Sequence, residues 1–214
     1  MARVFVSVGM SIDGYLVPPG LDFLRMGDPA SAEGLAQWSA LHAWLLPTRT
    51  FRQRLKFGDD GETGPDDDRA RRTFDRTGVT ILGRRMFDHG EGSWPEEAPF
   101  HTPVFVVTHR ARAPWERPGG TTFRFVDDGI HSALNQARAV VGDRDIRIGG
   151  GADLIVQYLN AGLVDELHLA VAPVLFGGGT PLFAGIDHRR VALTPADSAA
   201  SPRVTHLSYA VSLR

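Results

Sequence analysis

The sequence predicts an α/β domain with a central mixed, mostly parallel sheet flanked by helices and an antiparallel strand at its C-terminal end. Three observations predict it. Short β-branched runs alternate with stretches whose apolar residues recur at helical spacing. Several of those runs end in glycine or in side chains suited to phosphate. The last run, Val204 to Leu213, alternates at a period of two, as an antiparallel strand does.

Composition narrows the function classes. The chain has 214 residues, a net charge of −2 and no cysteine. That length fits one domain over 1–214 with a loop and helix insertion at about 20–72. The near-neutral charge argues against nucleic acid as the main partner. Without cysteine, disulfides and thiolate metal sites are excluded, and no metal site is expected. No apolar run has the length of a membrane span, and Met1-Ala2-Arg3 leads straight into Val4 without a signal-peptide core. A cytoplasmic protein is expected, with no membrane partner.

Val4 to Val8 lacks clean alternation, as a central strand covered on both faces would. It ends in Gly9-Met10-Ser11-Ile12-Asp13-Gly14-Tyr15, where Asp13-Gly14 is a turn dipeptide. The chain then stays irregular to about Pro29, as a lid over a pocket or an ordinary surface loop. From Ser31, a candidate N-cap, Leu35, Trp38, Leu41, His42 and Leu45 recur at helical spacing up to Pro47. Trp38 and Trp44 fit core positions better than a cofactor box. Thr50 to Phe57 reads as a short basic helix, and the acidic stretch 58–68 as a solvated, disordered loop. Arg69 to Thr77 reads as a helix closed by Gly78.

Val79 to Leu82 is a buried strand that delivers Gly83-Arg84-Arg85-Met86, where a helix opens. Paired guanidinium groups there suit bidentate phosphate binding, or serve as surface ion-pair partners. Phe87 to Pro95 reads as a loop. The strand Val104 to Val107 exits at Thr108-His109-Arg110, and Thr121 to Val126 is one more strand. A helix runs from about Ile130 to Val141. Ile146 to Ile148 then runs into Gly149-Gly150-Gly151, with Asp153 to Asn160 as the following helix. A glycine turn of this kind leaves the first helical N–H groups free for an anion, or is simply tight. Gly162 closes that helix in the left-handed conformation, and Leu167, Leu169 and Val171 face inward from the next strand.

In a largely parallel sheet, ligands bind beyond the carboxyl ends of the strands. The exits near Gly83, Thr108 and Gly149 would together grip one ligand with two or three phosphates. That convergence predicts a nucleotide or dinucleotide site.

The same residues resemble a known family. Ser11-Ile12-Asp13-Gly14, Leu82-Gly83-Arg84-Arg85-Met86-Phe87 and the segment from Ile148-Gly149-Gly150-Gly151 to Phe183 are similar to motifs of the RibD C-terminal reductase family, within the dihydrofolate reductase-like superfamily. The similarity covers nearly the whole chain except about 20–70. It implies a dihydrofolate reductase-like fold, often dimeric, with NADPH across the strand ends. Carried over by position, Gly83, Arg84, Arg85 and Met86 would meet the adenosine phosphates, with Thr108 and His109 beside the adenine ribose. Ile148, Gly149, Gly150, Gly151, Ala152 and Asp153 would take the pyrophosphate. Ser11, Ile12, Asp13 and Gly14 would pass by the nicotinamide.

The expected activity is hydride transfer from NADPH to a C=N or C=O carbon of a small heterocycle, riboflavin-pathway-like or pteridine-like. The alternative is a non-catalytic relative that binds a nucleotide or other ligand. Asp13 is the candidate polar group at the reacting centre, or a turn-capping residue. His42, Phe87, Trp94 and Leu175 are the expected walls of the substrate pocket. Leu35 to Leu46 carries no Asp or Glu where dihydrofolate reductases place a carboxylate, which argues against dihydrofolate as substrate. A homodimer acting on a small molecule is expected.

Overall fold

A computed structural model describes residues 2–214. In chain order the elements are β1 (Val4–Ser11), β2 (Tyr15–Val17), α1 (Ala32–Leu41), α2 (Arg49–Arg54), α3 (Pro65–Arg76), β3 (Thr77–Gly83), α4 (Arg84–Glu91), β4 (Pro103–Val107), β5 (Trp115–Arg117), β6 (Thr121–Val126), α5 (Ile130–Val140), β7 (Asp145–Gly150), α6 (Ala152–Asn160), β8 (Glu166–Ala172), β9 (Thr180–Pro181), β10 (Val191–Ala200) and β11 (Thr205–Leu213). One nine-stranded sheet has the order β10, β11, β8, β1, β7, β3, β4, β6, β5, and β2 pairs with β9 in a separate ribbon. From β8 to β6 every neighbouring pair is parallel. The outer strands β11 and β5 are antiparallel to their neighbours β8 and β6.

β1 sits in the middle because its run is apolar on both sides. Val4 and Val6 join Val79, Ile81, Phe105, Ile146 and Ile148 on one face, buried under Leu134 of α5 and Ile155 and Tyr158 of α6. Each such aliphatic side chain contributes about 1.5–3 kcal/mol on burial. The opposite face is covered by three smaller clusters, around Phe87 and Phe123, around Leu41 and Phe176, and around Trp44 and Val204. α6 ends as its sequence requires. Gly162 has φ +68, and Leu163 N–H turns back to donate to Tyr158 O at 3.0 Å.

Several expectations need correction. Ser31 stands at the N-cap position of α1 without capping it, because its hydroxyl accepts from Asp22 N–H at 3.3 Å instead. α1 stops at Leu41, not at Leu46, and it includes Glu33. The acidic stretch 58–68 is ordered. Glu62 receives both terminal nitrogens of Arg203 at 2.8 Å, and the buried Asp67 accepts from Thr50 N–H at 2.7 Å. α3 begins at Pro65, with Asp66, Asp67 and Asp68 in its first turn. Proline at the first helical position and carboxylates at the positive end of the helix dipole both favour a start there. Gly78 therefore lies inside β3 and is no helix stop.

α4 continues through the stretch read as a loop, to Glu91. Gly90 is required within it, because a β-carbon there would stand 2.0 Å from the Trp94 ring. β5 has no counterpart among the expected strands. The C-terminal strand β11 is not the sheet edge, since β10 pairs along its outer side.

One ion-pair cluster at the amino-terminal ends of the strands makes stability depend on pH. Glu166 takes hydrogen bonds from Arg3 at 2.6 Å, Arg76 at 2.8 Å and His168 at 2.9 Å. Burial alone would raise its pKa, but those donors outweigh it and bring the carboxyl down to about 2 from 4.5. A depressed folded-state pKa stabilises the fold fully above the unfolded value, and that stability is lost as pH falls through the folded one. Urea unfolding should therefore show the native protein losing stability between pH 4.5 and about 2. Glu166→Gln should be less stable at neutral pH and should flatten that limb, whereas parallel curves would contradict the assignment.

Candidate functional site: a glycine-lined rim

The expected exits lie side by side. Leu82 is paired with Gly150, and Gly83 with Val107, so β7, β3 and β4 leave the sheet at one level on one rim. β1 and β8 end at the same edge, where Ser11 is paired with Ala172.

Two helices start on this rim. α4 has Gly83 and α6 has Gly151 at the N-cap, and neither cap supplies a side-chain acceptor. Their first N–H groups therefore remain available to an anion. The two starts nearly touch. A β-carbon on Gly83 would lie 3.4 Å from Gly151 N. A β-carbon on Gly150 or Gly151 would meet nothing within 4 Å, so the turn opens on free space. Gly150 has φ +112, a conformation that glycine tolerates and residues with a β-carbon do not. Gly149 has the opposite role, because its missing β-carbon would fall 2.8 Å from Leu82 Cδ2.

Arg84 and Arg85 on the rim are already paired. Arg85 bonds Asp153, from the start of one helix to the start of the other, and Arg84 Nε donates to Asp88 at 2.7 Å. The side chains of Arg85 and Asp153 are about three-quarters exposed, so an incoming phosphate can exchange with the carboxylate. Such exposed pairs contribute little to stability. Met86 and His109 are exposed, and Ala152 is the first residue of α6. Thr108 is 4% exposed, and its hydroxyl accepts from Arg110 N–H at 3.0 Å. Ile148 is wholly buried in the core, so only its main chain borders the rim.

The first turn and the second glycine cluster are stitched together. Ile12 N–H donates to Val174 O at 3.0 Å, and Leu182 N–H to Gly14 O at 2.9 Å. Ser11 is fully buried and its hydroxyl accepts from Tyr15 N–H at 3.0 Å. The carboxylate of Asp13 accepts from Phe176 N–H at 3.1 Å and Gly177 N–H at 2.7 Å. Hydrogen bonding from Ser11, then from Gly177 and Phe176, holds its pKa below the usual carboxylate value. The Asp13 carboxylate therefore ties the turn after β1 to the loop at Phe176 and Gly177, as its turn-capping reading expects.

The expected pocket walls divide. Phe87 is wholly buried, edge-on to Phe123 and Phe125 at 5.1 Å, and Trp94 stacks on Phe123 at 5.3 Å. Phe87 is thus enclosed in an aromatic cluster and walls no pocket, whereas Trp94 packs on that cluster and stays partly exposed. Leu175 is 71% exposed beside the exposed Ile12, at the stitched loops. His42 lies against β1, its Nε2 3.6 Å from where a β-carbon would stand on Gly9. The irregular loop after β2 runs over this region, with Phe23 stacked on His89 at 4.8 Å and edge-on to Trp38 at 5.8 Å.

Two features escaped the sequence reading. Arg147, inside β7, is enclosed, donates to Ser7 O at 3.0 Å, and is brought down to about 10 by burial. A lone arginine within a β-branched run was the available signal. The second is the acidic first turn of α3. There Asp67 is buried and accepts from Thr50 N–H at 2.7 Å, while Leu35 to Leu46 is free of acid.

The comparisons with known proteins agree with this architecture. The family model for the RibD C-terminal domain matches residues 2–207. The chain is 42% identical to the uncharacterized protein YyaP of Bacillus subtilis over 65 residues, which is 30% of this chain and 34% of YyaP. A crystal structure of a putative riboflavin biosynthesis protein from Shewanella sp. PV-4 superposes with a TM-score of 0.63 at 21% identity, covering 99% of both chains. The deaminase/reductase of Thermotoga maritima gives 0.59 at 12% identity, over 98% of this chain and 56% of that one. At such identities the structures establish the fold alone. With the family model spanning nearly every residue that builds the sheet and its rim, the chain belongs to the RibD C-terminal domain family.

Proposed function

We propose that the protein is an NADPH-dependent reductase acting on a small heterocyclic substrate. The observation that carries this reading is the convergence of three parallel exits on one rim, two of them opening uncapped helices. Bound NADPH would supply the hydride. The chain's own residues bind, orient and exclude water. The open turn Gly150-Gly151-Ala152 fits a pyrophosphate, because nothing within 4 Å of the two glycines would oppose it. Arg84 and Arg85 fit a further phosphate by exchanging their carboxylate partners, with Thr108 and His109 toward the ribose. Ser11, Ile12 and Gly14 border the nicotinamide end, where the Asp13 clamp fixes the loop. Leu175 and His42 border the substrate. The reductase activity that the Thermotoga maritima protein's description prints supports the reaction class. The reading also carries a homodimer, as the family resemblance implies, in the cytoplasm, as the composition suggests.

Thermal unfolding with NADPH or NADH is the test. A ligand at a hundred times its Kd adds about 2.7 kcal/mol, which for a domain of this size raises Tm by roughly 5–11 °C. NADPH should do so at lower concentration than NADH, and Arg85→Ala should narrow the gap. No stabilisation by either coenzyme would refute the proposal.

A further inference from the structure

His42 stands at the C-cap of α1 and packs against β1 near the rim. The ring lies 4.2 Å from that of Trp38 and its Nδ1 is 2.9 Å from Trp38 O. A carbonyl oxygen only accepts, so Nδ1 carries the proton and Nε2 is left with a bare lone pair. Among the described residues Nε2 has no donor. It lies beside Gly9, 3.6 Å from where a β-carbon would stand, two residues before β1 leaves the sheet at Ser11. Burial holds the ring's pKa below the ordinary histidine value, and it outweighs the opposing effect of the Trp38 carbonyl. The imidazole is therefore neutral at neutral pH.

We infer that His42 accepts a hydrogen bond through Nε2 from an N–H of the substrate ring, and so selects heterocycles that present a lactam or amine N–H at that point. This rests on the reductase reading for what the crevice holds. His42 is then a binding residue and not the source of a proton, because the neutral ring has none on the nitrogen that faces the substrate. A ring with no hydrogen there would leave a desolvated acceptor unpaired, which is the kind of mismatch that polar sites reject strongly.

The experiment uses the full chain with ¹⁵N-labelled histidine, saturated with NADP⁺. His42, identified by its loss in His42→Phe, should show a pyrrole-like Nδ1 and a pyridine-like Nε2 at neutral pH. The reverse pattern, or two protonated nitrogens, overturns the inference. Pteridine-2,4-dione, which has two lactam N–H groups, and its 1,3-dimethyl derivative are then titrated. The dione should shift the Nε2 resonance and bind at least tenfold more tightly than the dimethyl compound. That preference should vanish in His42→Phe, which keeps a ring against Trp38. An equal response to both compounds, or none to either, also overturns it. The coenzyme reading fails separately: a protein indifferent to NADPH that still shows the nitrogen pattern and the dione preference would refute the reductase and leave His42 as assigned.

Discussion

Gly151→Val should weaken NADPH binding at least 100-fold, about 2.8 kcal/mol, while leaving the fold intact. The backbone at Gly151 has φ −75 and ψ −170, an extended conformation that valine adopts readily, and a β-carbon there meets nothing within 4 Å. The substitution therefore costs stability only through a poorer N-cap, about 1 kcal/mol. Its side chain fills the open space that the account reserves for the pyrophosphate, and it shields the uncapped N–H groups of α6. Calorimetric titration measures the affinity and urea unfolding the stability. Unchanged affinity in a folded variant would show that the coenzyme does not lie over this turn. Gly150 is the poorer choice, since its φ of +112 would confound strain with blocked binding.

Phe87→Ala should lower stability by about 3–5 kcal/mol, the range for removing a large buried ring, and lower Tm by roughly 6–20 °C. Phe87 is wholly buried and meets Trp94, Trp115, Phe123 and Phe125 edge-on. Should the alanine variant fail to accumulate, Phe87→Leu keeps more of the volume and should cost less. In the leucine variant the coenzyme affinity should stay within about twofold, because the ring supports α4 from beneath and reaches no ligand. A large loss of affinity with little loss of stability would restore the ring to the pocket wall.

The parallel core and its rim were legible in the sequence because each rests on local chemistry. Val79 to Leu82, Val104 to Val107 and Ile146 to Ile148 are short and rich in β-branched residues, and each exits at residues with a definite job. What failed depends on partners far away in the chain. Asp66 and Glu62 read as solvated because their partners, His206 and Arg203, lie more than 130 residues on. The clamp made by Asp13 joins segments 163 residues apart. Phe87 looked like a pocket wall because it follows the phosphate motif. Helical periodicity turns it inward, but Gly90 and Gly92 disguised the helix until the Trp94 ring showed why Gly90 has no side chain. Lone polar residues were legible only as candidates. His42 lies against β1, and Asp13 bonds the loop at Phe176 and Gly177.

The central claim is that the exits of β7, β3 and β4 hold one reduced nicotinamide coenzyme between them. A crystal structure of the protein soaked in NADPH tests it most directly. The account predicts the pyrophosphate over Gly150 and Gly151 at the start of α6, a phosphate beside Arg84 and Arg85 with the Asp153 pairing broken, and the nicotinamide toward Ile12 and Gly14. Coenzyme bound away from these turns, or a rim that stays empty at saturating NADPH with Arg85 still held by Asp153, would contradict it.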